Sequence, residues 1–244
     1  MFDLKDKIAL VTGANRGIGE AYVLHLLQAG AKTIYAAARD LDNLTPLLAR
    51  NPQVIKPVLL DVTNAEHIKA LATQIPALDI LINNAGIANA CSLSADNALQ
   101  IAHTEMETNY FGPLQLTQAL LALLKKSPLA AVINVSSIAG ISSFPMMGPY
   151  SASKAALHSF TQGLRIELAA DKIQVLGVYP GPIDTRMTEA FEMDKPKPSQ
   201  VAERSFMALD NGELDVMPDD FSAQMYAAFL NHPHELEKAF AQMQ

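Results

Sequence analysis

The segment T-G-A-N-R-G-I-G, which spans Thr12 to Gly19, decides the fold class of this chain. An apolar run, Ile8 to Thr12, leads into it, and an amphipathic stretch, Ile18 to Gln28, leads out of it. These runs predict a strand followed by a helix. Glycines at such a junction allow a tight turn, a close approach to a pyrophosphate, and a helix N-terminus whose amides face the anion. The segment is therefore typical of a dinucleotide-binding loop, although three glycines alone would also suit a plain strand-to-helix turn.

The rhythm of strand and helix continues beyond this loop. Short apolar runs alternate with longer segments of helical period and predict five more strands, at Thr33–Ala38, Val54–Leu60, Asp79–Asn84, Ala131–Ser136 and Ile173–Tyr179. Leu214 to Met217 is a candidate for a late seventh strand. Strands that are apolar almost throughout indicate a parallel sheet with helices on both faces, because right-handed crossovers place helices above and below it. We therefore predict a doubly wound, three-layer α/β Rossmann fold with a mainly parallel sheet of six to seven strands.

The organisation of the chain is simple. No repeat or low-complexity tract divides it, so we predict one domain over residues 1–244. Residues 187–199 contain the run K-P-K-P, which does not continue a helix, and we interpret them as a loop or lid. Residues 218–244 predict two short helices that are separated at Asn231 to Pro233.

Composition and charge limit the classes of function. Hydrophobic residues make up 50% of the chain and charged residues 18%, which is typical of a soluble domain with a full core. The net charge of -7 argues against nucleic acid and against an anionic membrane surface as partners. A charged N-terminus and a single cysteine, Cys91, lead us to expect a reduced, cytoplasmic protein without disulfides. We expect no metal site, because no histidine or cysteine cluster has the spacing of ligands.

The end of the second predicted strand bears on the choice of dinucleotide. In such folds an acidic residue about 20 residues beyond the glycines holds the ribose of NAD, whereas an arginine suits the 2′-phosphate of NADP. Here three alanines are followed by Arg39, and Arg16 lies inside the glycine loop. The two guanidinium groups predict NADP(H) as the cofactor. The alternative is that Arg39 pairs with Asp40 or Asp42 in solvent, which would leave NAD acceptable.

Further motifs follow the glycine loop in a fixed order. They are N-N-A-G at Asn83–Gly86, an asparagine at position 109, V-S-S at Val135–Ser137, Y-S-A-S-K at Tyr150–Lys154 and P-G-P-I-D-T at Pro180–Thr185. With the glycine loop they make the chain, over about residues 5–190, resemble the short-chain dehydrogenase/reductase family. The resemblance implies an oxidoreductase that uses a nicotinamide dinucleotide.

The resemblance also assigns residues to the cofactor. It implies that Asp61 and Val62 flank the adenine, that Asn83–Gly86 steadies the central strand beside the cofactor, and that Pro180–Thr185 faces the nicotinamide. From the loop and the resemblance together, the expected cofactor-binding residues are Gly13, Asn15, Arg16, Gly17, Ile18, Gly19, Arg39, Asp61, Val62, Asn83, Ala85, Gly86, Tyr150, Lys154, Pro180, Gly181, Ile183 and Thr185.

Tyr150 and Lys154 carry the expected chemistry. They lie four residues apart, so a helix places both side chains on one face and the ammonium near the phenol. A nearby cation favours the phenolate, and we expect Lys154 to lower the pKa of Tyr150. The resemblance implies that Tyr150 protonates the carbonyl oxygen during reduction and that Lys154 also holds the nicotinamide ribose. The spacing alone is common on surface helices.

Ser137 and Asn109 complete the expected catalytic set. Ser137 ends a predicted parallel strand, where such sheets bind ligands, so its hydroxyl could bind the substrate oxygen. Ser136 is the competing candidate, but strand alternation and the family spacing to Tyr150 favour Ser137. The resemblance implies that Asn109 holds a water linked to Lys154; the alternative is an asparagine that only satisfies a helix kink.

These features predict an NADP(H)-dependent oxidoreductase that interconverts a carbonyl and an alcohol by hydride transfer. One alternative is a cofactor-binding, redox-sensing regulatory protein with little turnover, for which a missing catalytic residue would be the expected sign. Another is a sugar-nucleotide epimerase or dehydratase, which would normally need a longer region after Thr185 than this chain has.

The sequence says less about the substrate and the oligomeric state than about the cofactor. Apolar side chains precede the predicted catalytic helix and recur in the predicted lid, and if both segments border one cleft they suit an apolar carbonyl compound; core or oligomer contacts are the alternative. The apolar faces of Ala98–Lys126 and Pro149–Ala170 could support a homodimer, as in relatives, although core burial also explains them. The chain lacks the Asp-Gly-Gly end of tetrameric members, which argues against a tetramer. The apolar side chains in question are Phe144, Met146, Met147, Met187, Phe191 and Met193.

Overall fold

The computed structural model describes residues 2–242 and confirms the predicted fold class. Within these residues seven strands form one sheet in the order β3-β2-β1-β4-β5-β6-β7, and every neighbouring pair is parallel. The strands are β1 (Ile8–Thr12), β2 (Thr33–Ala38), β3 (Ile55–Leu59), β4 (Ile80–Asn83), β5 (Ala131–Val135), β6 (Gln174–Val178) and β7 (Asp215–Val216). The late strand candidate is thus confirmed as a short edge strand beside β6.

Helices connect the strands and cover both faces of the sheet. They are α1 (Gly17–Gln28), α2 (Thr45–Leu48), α3 (Ala65–Gln74), α4 (Ala98–Met106), α5 (Gly112–Leu124), α6 (Gly148–Glu167), α7 (Pro198–Asp210), α8 (Asp220–Asn231) and α9 (Pro233–Ala241). No helix in residues 2–242 has both the length and the apolar character that crossing a membrane requires.

The strand period of two divides the core into two layers. Along β1, Leu10 packs into one apolar cluster, whereas Ala9 and Val11 pack into the cluster on the opposite face. Leu81 and Ile82 of β4 divide in the same way. All these side chains are buried, as expected for a parallel sheet that helices cover on both sides.

The strand order places the site. β1 pairs with β2 on one side and with β4 on the other. The chain therefore adds β2 and β3 on one side of β1, crosses back, and adds β4 to β7 on the other side. Such a reversal opens a crevice at the carboxyl ends of the strands, where doubly wound folds bind ligands. The glycine loop lies at that end of β1, and N-N-A-G lies at that end of β4.

One predicted helix is interrupted. The stretch Ala98–Lys126 does not form a single helix: α4 ends at Met106, a π-helical turn spans Glu107–Phe111, and α5 begins at Gly112. A π-helical turn adds a residue to the local period and commonly occurs at functional sites. The amphipathic period of the sequence alone did not show this interruption, because the residues on both sides of the π-helical turn keep a helical pattern.

The chain between β6 and α7 has little regular structure. Arg186–Thr188 form a single helical turn, and the residues after it run without regular structure to α7, which begins at Pro198. The predicted lid, residues 187–199, is therefore loop over most of its length, with its last residues in α7 because proline suits the first helical position. The two predicted C-terminal helices are present as α8 and α9.

Candidate active site

A cavity of about 1220 Å³ lies at the carboxyl ends of the strands. Residues within two positions of the ends of β1 to β6 line it, so strand ends that are distant in sequence meet around one space. Of the predicted cofactor-binding residues, those lining the cavity are Gly13, Asn15, Arg16, Gly17, Ile18, Arg39, Asp61, Val62, Ala85, Gly86, Tyr150, Lys154, Pro180, Gly181, Ile183 and Thr185.

The glycine loop depends on backbone conformations that other residues rarely adopt. Gly13 and Gly17 have φ of 63° and 57°, which allows the chain to leave β1 and enter α1 within a few residues. Gly19 does not line the cavity; a Cβ atom there would lie 2.2 Å from the carbonyl oxygen of Gly13. Its role in the structure is therefore the close packing of α1 against the loop. The N-terminus of α1 faces the cavity and can accept an anion.

Arg16 and Arg39 both line the cavity, and both are exposed. Within the described chain Arg39 forms no ion pair, whereas Asp40 accepts hydrogen bonds from the side chain of Asn43 and the backbone N–H of Asp42. The sequence alternative, a pair between Arg39 and one of these aspartates, is not what the structure shows. The guanidinium group remains available to a ligand.

Asp61 follows β3 and borders the same part of the cavity. Partial burial would raise the pKa of its carboxyl, but hydrogen bonds from the N–H and hydroxyl of Thr63, with the charge of Arg39, lower it below the usual value. An ionised Asp61 is an acceptor for hydroxyl and amine donors.

The two asparagines of the N-N-A-G motif face different surroundings. Asn83, expected at the cofactor, is buried away from the cavity and donates from Nδ2 to Asn134 Oδ1 at 2.8 Å and to Thr117 at 3.2 Å. Asn84, which the sequence analysis did not single out, lines the cavity and donates from Nδ2 to the carbonyl oxygen of Thr12 at 2.8 Å. Strand alternation could have indicated this, because neighbouring residues of a strand face opposite sides.

Ser137, Tyr150 and Lys154 line one wall of the cavity. β5 delivers Ser137 and the first turns of α6 deliver the other two. The Ser137 hydroxyl interacts with the phenol of Tyr150 and also accepts a hydrogen bond from the N–H of Ala139 at 3.2 Å. Three of the four predicted catalytic residues thus face the same space.

The pKa of Tyr150 corrects one expectation. Burial raises it to about 12, contact with Ser137 acts in the opposite direction, and the charge of Glu105 adds to the rise. Lys154 Nζ lies over the Tyr150 ring, 5.8 Å from its centre, but in the free protein the net shift of the phenol pKa is upward because burial is the largest influence. The phenol is therefore protonated near neutral pH.

Lys154 is itself buried, with 4% of its surface exposed. Nζ donates a hydrogen bond to the carbonyl oxygen of Val135 at 2.9 Å. Burial lowers the pKa of the ammonium to about 8, and the charge of Glu105 opposes that fall. The protonation state of Lys154 is therefore sensitive to nearby charge.

Asn109 lies in the π-helical turn and is fully buried. Its Oδ1 accepts from the N–H of Ile87 at 2.9 Å, and its Nδ2 donates to the Ile87 carbonyl oxygen and to the Ser153 hydroxyl, each at 2.9 Å. The side chain therefore joins the chain after N-N-A-G to α6. It does not line the cavity, and none of these side-chain bonds is made to its own helical turn.

Gly86 separates Asn109 from Lys154. A Cβ atom at this position would lie 3.1 Å from Asn109 Oδ1 and 3.4 Å from Lys154 Nζ. Both polar atoms therefore border the same small space, and a side chain at residue 86 would fill it. The glycine of N-N-A-G keeps the ammonium and the amide close together.

Polar contacts fix α6 against the sheet. The Ser136 hydroxyl donates to the carbonyl oxygen of Lys154 at 3.0 Å, and Asn134 Nδ2 donates to Thr161 at 2.9 Å. Ser153, which the sequence analysis missed, donates to the carbonyl oxygen of Tyr150 at 2.7 Å. These contacts set the direction in which Tyr150 and Lys154 project.

Apolar side chains border the cavity beside this wall. Phe144 and Met147, from the chain before α6, face the same cavity as Met187 and Phe191 from the loop after β6, which confirms that the two segments share one cleft. The other two apolar residues of these segments, Met146 and Met193, do not line it. In the described part of the chain, no three histidine, cysteine, aspartate or glutamate side chains converge as a metal site would require.

The C-terminal helices support this side of the cavity. Phe240 of α9 is buried, and its ring centre lies 4.3 Å from that of Phe144. Asp219, at the start of α8, accepts a hydrogen bond through Oδ2 from the N–H of Gly181 at 2.8 Å. The tail thus contacts two segments that line the cleft.

Comparison with known proteins agrees with the motifs. The family described as short chain dehydrogenase matches residues 7–196. An uncharacterized oxidoreductase of Staphylococcus aureus is 36% identical over 215 residues, which cover 84% of this chain and 92% of that protein. A probable short-chain type dehydrogenase/reductase of Helicobacter pylori is 36% identical over 200 residues, or 80% of this chain and 72% of that protein.

Solved structures show the same relationship over most of the chain. A short chain dehydrogenase from Burkholderia cenocepacia, crystallised in complex with NADP, superposes with a TM-score of 0.92 at 32% identity and covers 98% of both chains. An NADPH-bound carbonyl reductase from chicken fatty liver superposes with a TM-score of 0.81 at 30% identity and covers 88% of this chain and 97% of that one. On the family match, the sequence relatives and the shared architecture, this chain belongs to the short-chain dehydrogenase/reductase family.

Proposed function

We propose that this chain is an NADP(H)-dependent oxidoreductase that interconverts a carbonyl and an alcohol, with Tyr150 as general acid and base. One observation carries the proposal. The Ser137 hydroxyl, the Tyr150 phenol and the Lys154 ammonium line one wall of the cavity that also contains the glycine loop. A proton donor, an oxygen-binding hydroxyl and a dinucleotide-binding loop thus share a single space.

The residues present fit a nicotinamide dinucleotide. The backbone N–H groups at the start of α1 would hold the pyrophosphate, and Asp61 with Val62 would border the adenine. Lys154 would hold the nicotinamide ribose, and Pro180 to Thr185 would lie against the nicotinamide. When bound, the reduced cofactor supplies the hydride that reduces the carbonyl carbon.

NADP(H) suits the charges at the adenosine end. Arg16 and Arg39 line this region of the cavity, and β2 ends in Ala38 without a carboxylate. Guanidinium groups form charge-assisted hydrogen bonds with phosphate oxygens. The related proteins crystallised with NADP and NADPH support the same choice.

Side chains of the protein would bind the substrate oxygen and supply its proton. The carbonyl oxygen of the substrate would accept hydrogen bonds from Ser137 and Tyr150, and the phenol would give its proton to that oxygen as the alcohol forms. Because the pKa of Tyr150 is about 12 in the free protein, the phenol keeps its proton until the oxygen becomes basic. The Lys154 ammonium would stabilise the phenolate that remains, and a water held by Asn109 would link Lys154 to solvent.

The cleft favours an apolar carbonyl compound. Phe144, Met147, Met187 and Phe191 border it, and methionine side chains adapt to irregular ligands. We propose that residues 187–199 close over the bound molecules as a lid, because Met187 and Phe191 lie in this segment and face the cavity. A homodimer and a cytoplasmic location also stay proposals, which light scattering and cell fractionation would test.

A turnover assay tests the proposal. A panel of aldehydes and ketones of increasing apolar size is mixed with the protein, and the absorbance of NADPH or NADH is followed. We expect turnover that rises with apolar size and is faster with NADPH. Tight binding of NADPH without turnover of any carbonyl compound, or of any alcohol with NADP, would instead support the redox-sensing alternative.

A further inference from the structure

Glu105 is a buried carboxyl group that the proposed reaction does not use. It lies on α4, one helical turn before Asn109, and its side chain is 0% exposed. Glutamate is rarely buried completely unless its charge is paired or its oxygens are hydrogen-bonded. The position of Glu105 beside the candidate active site therefore needs an explanation.

Only one of the two carboxyl oxygens of Glu105 accepts hydrogen bonds from the described residues. Oε1 accepts from the backbone N–H of Asn89 at 2.7 Å and from Asn89 Nδ2 at 3.1 Å. Oε2 is buried and has no hydrogen-bond partner among residues 2–242. Glu105 thus holds the chain after N-N-A-G through one oxygen, while the other oxygen has no hydrogen-bond donor among the described residues.

Glu105 influences the ionisation of two residues of the candidate active site. It interacts electrostatically with Lys154 and with Tyr150. The other titratable groups nearby on α4 and the π-helical turn, His103 and Glu107, are exposed. Water screens exposed charges far more strongly than buried ones.

Buried side chains connect the region of Glu105 with that of Lys154. Asn109 Oδ1 and Lys154 Nζ both lie against Gly86, and Glu105 precedes Asn109 by one turn. Lys154 is 4% exposed and Asn109 is buried. A carboxylate and an ammonium that interact through such an interior have a strong mutual effect.

We propose that Glu105 is a positioning residue for this reaction, the buried counter-charge that keeps Lys154 in its ammonium form. The inference rests on the proposed function, because it acts through Lys154. The hydrogen bonds to Asn89 hold the carboxylate in place and favour its ionised form. In this proposal the charge of Lys154, and through it the Tyr150–Lys154 pair, depends on a glutamate that lies outside the family motifs.

The direction of the effect follows from the charges. Burial lowers the pKa of Lys154 to about 8, and Glu105 raises it against that trend. Burial likewise raises the pKa of Glu105, while the N–H donors of Asn89 and the Lys154 ammonium oppose the rise. Removing the carboxylate charge should therefore lower the pKa of both Lys154 and Tyr150.

The variant Glu105→Gln isolates the charge. Its amide oxygen can still accept from Asn89, so the hydrogen bonds survive while the negative charge is lost. Glu167→Gln is the matched control, because it makes the same change on an exposed side chain at the end of α6, outside the cavity. The readout is the Lys154 side-chain resonance in cofactor-free protein labelled with ¹³C,¹⁵N-lysine, titrated with pH and assigned with Lys154→Met.

We expect the Lys154 midpoint of Glu105→Gln to fall by at least about 0.5 pH unit, as opposite charges near a titrating group produce. Glu167→Gln should keep the midpoint of the unmodified protein. In turnover assays, the alkaline limb of kcat/KM should move to lower pH in Glu105→Gln alone. Equal Lys154 midpoints in Glu105→Gln and the unmodified protein would overturn the proposal.

A reciprocal measurement covers a Glu105→Gln variant that does not fold. In Lys154→Met the carboxyl carbon of Glu105 should titrate at higher pH than in the unmodified protein, because its counter-charge is gone. An unchanged Glu105 midpoint would also overturn the proposal. Both titrations need no turnover, so a protein that shows the coupling but reduces no carbonyl compound would refute the proposed function separately.

Discussion

Lys154 donates a hydrogen bond from Nζ to the carbonyl oxygen of Val135, across 2.9 Å, at the last residue of β5. The bond ties the ammonium to the sheet and leaves Nζ 5.8 Å from the centre of the Tyr150 ring. The ammonium is therefore held at a fixed position over the phenol ring. In the free protein burial is nonetheless the largest influence on the pKa of Tyr150 and raises it.

The first prediction concerns pH. Lys154 has a pKa of about 8, so its ammonium is present below that pH and is lost above it, while Tyr150, with a pKa of about 12, stays protonated through this range. We expect kcat/KM for NADPH, which reports the free enzyme, to fall as pH rises through about 8. An alkaline limb that begins only above about pH 10, the usual range of lysine, would contradict this.

The second prediction concerns the proton donor. Tyr150→Phe removes the hydroxyl and keeps the ring, so the fold should persist while carbonyl reduction falls by roughly 10²- to 10⁴-fold in kcat. Steady-state NADPH oxidation measures the loss, and circular dichroism checks the fold. Tyr110→Phe is the control, because Tyr110 packs against Phe111 and Phe160 and does not line the cavity. Unchanged kcat in Tyr150→Phe would exclude the proposed acid.

The third prediction concerns the cofactor. Arg39→Asp replaces a free guanidinium group with a carboxylate that repels the 2′-phosphate, so the ratio of kcat/KM for NADPH to that for NADH should fall. A lost charge-assisted hydrogen bond corresponds to about 10- to 100-fold. Arg50→Asp makes the same change at an exposed site outside the cavity and should keep the original ratio. Equal ratios in both variants would show that Arg39 does not select the cofactor.

The fourth prediction concerns the C-terminal tail. Phe240 is 1% exposed and packs on Phe144, so Phe240→Ala should lower the free energy of unfolding by about 3 kcal/mol through lost burial and a cavity. It should also raise KM for apolar carbonyl compounds, because Phe144 lines the cleft. Urea denaturation and steady-state kinetics measure the two effects.

Leu230→Ala serves as the control for that change. Leu230 is 64% exposed on α8, so its truncation should alter the free energy of unfolding by less than about 0.5 kcal/mol. If both variants lose the same stability, α9 does not brace the cleft through Phe240. If Phe240→Ala keeps the original KM, the tail contributes to stability but not to substrate binding.

Much of the fold was predictable because its signals are local. Continuous apolar runs such as Ile8 to Thr12 have a strand period that neighbours hardly alter, and the glycines after them serve backbone needs that few residues meet. Helix ends and interruptions were less accessible. The π-helical turn around Asn109 depends on contacts with Ile87 and Ser153, and neither lies near it in sequence.

The site shows the same division. Residues within motifs, such as Ser137 and Tyr150, were placed at the cleft by strand position and by the family resemblance, and they do line it. Glu105 was missed because a glutamate on an amphipathic helix is normally exposed. One signal was available: Glu105 precedes Asn109 by four residues and therefore shares its helix face.

The amino-acid sequence by itself determined the order of strands and helices and the glycine loop, because these follow from local backbone preference and hydrophobic period. It also supplied the residue types that carry the chemistry, through the motifs that resemble those of the family. Only the tertiary structure decided the charge state of the site. The pKa values of Tyr150 and Lys154 depend on burial and on Glu105, which reaches them through folding rather than through proximity along the chain. Electrostatic energies depend on distance in space and on exclusion of water, and neither quantity is encoded in a short motif.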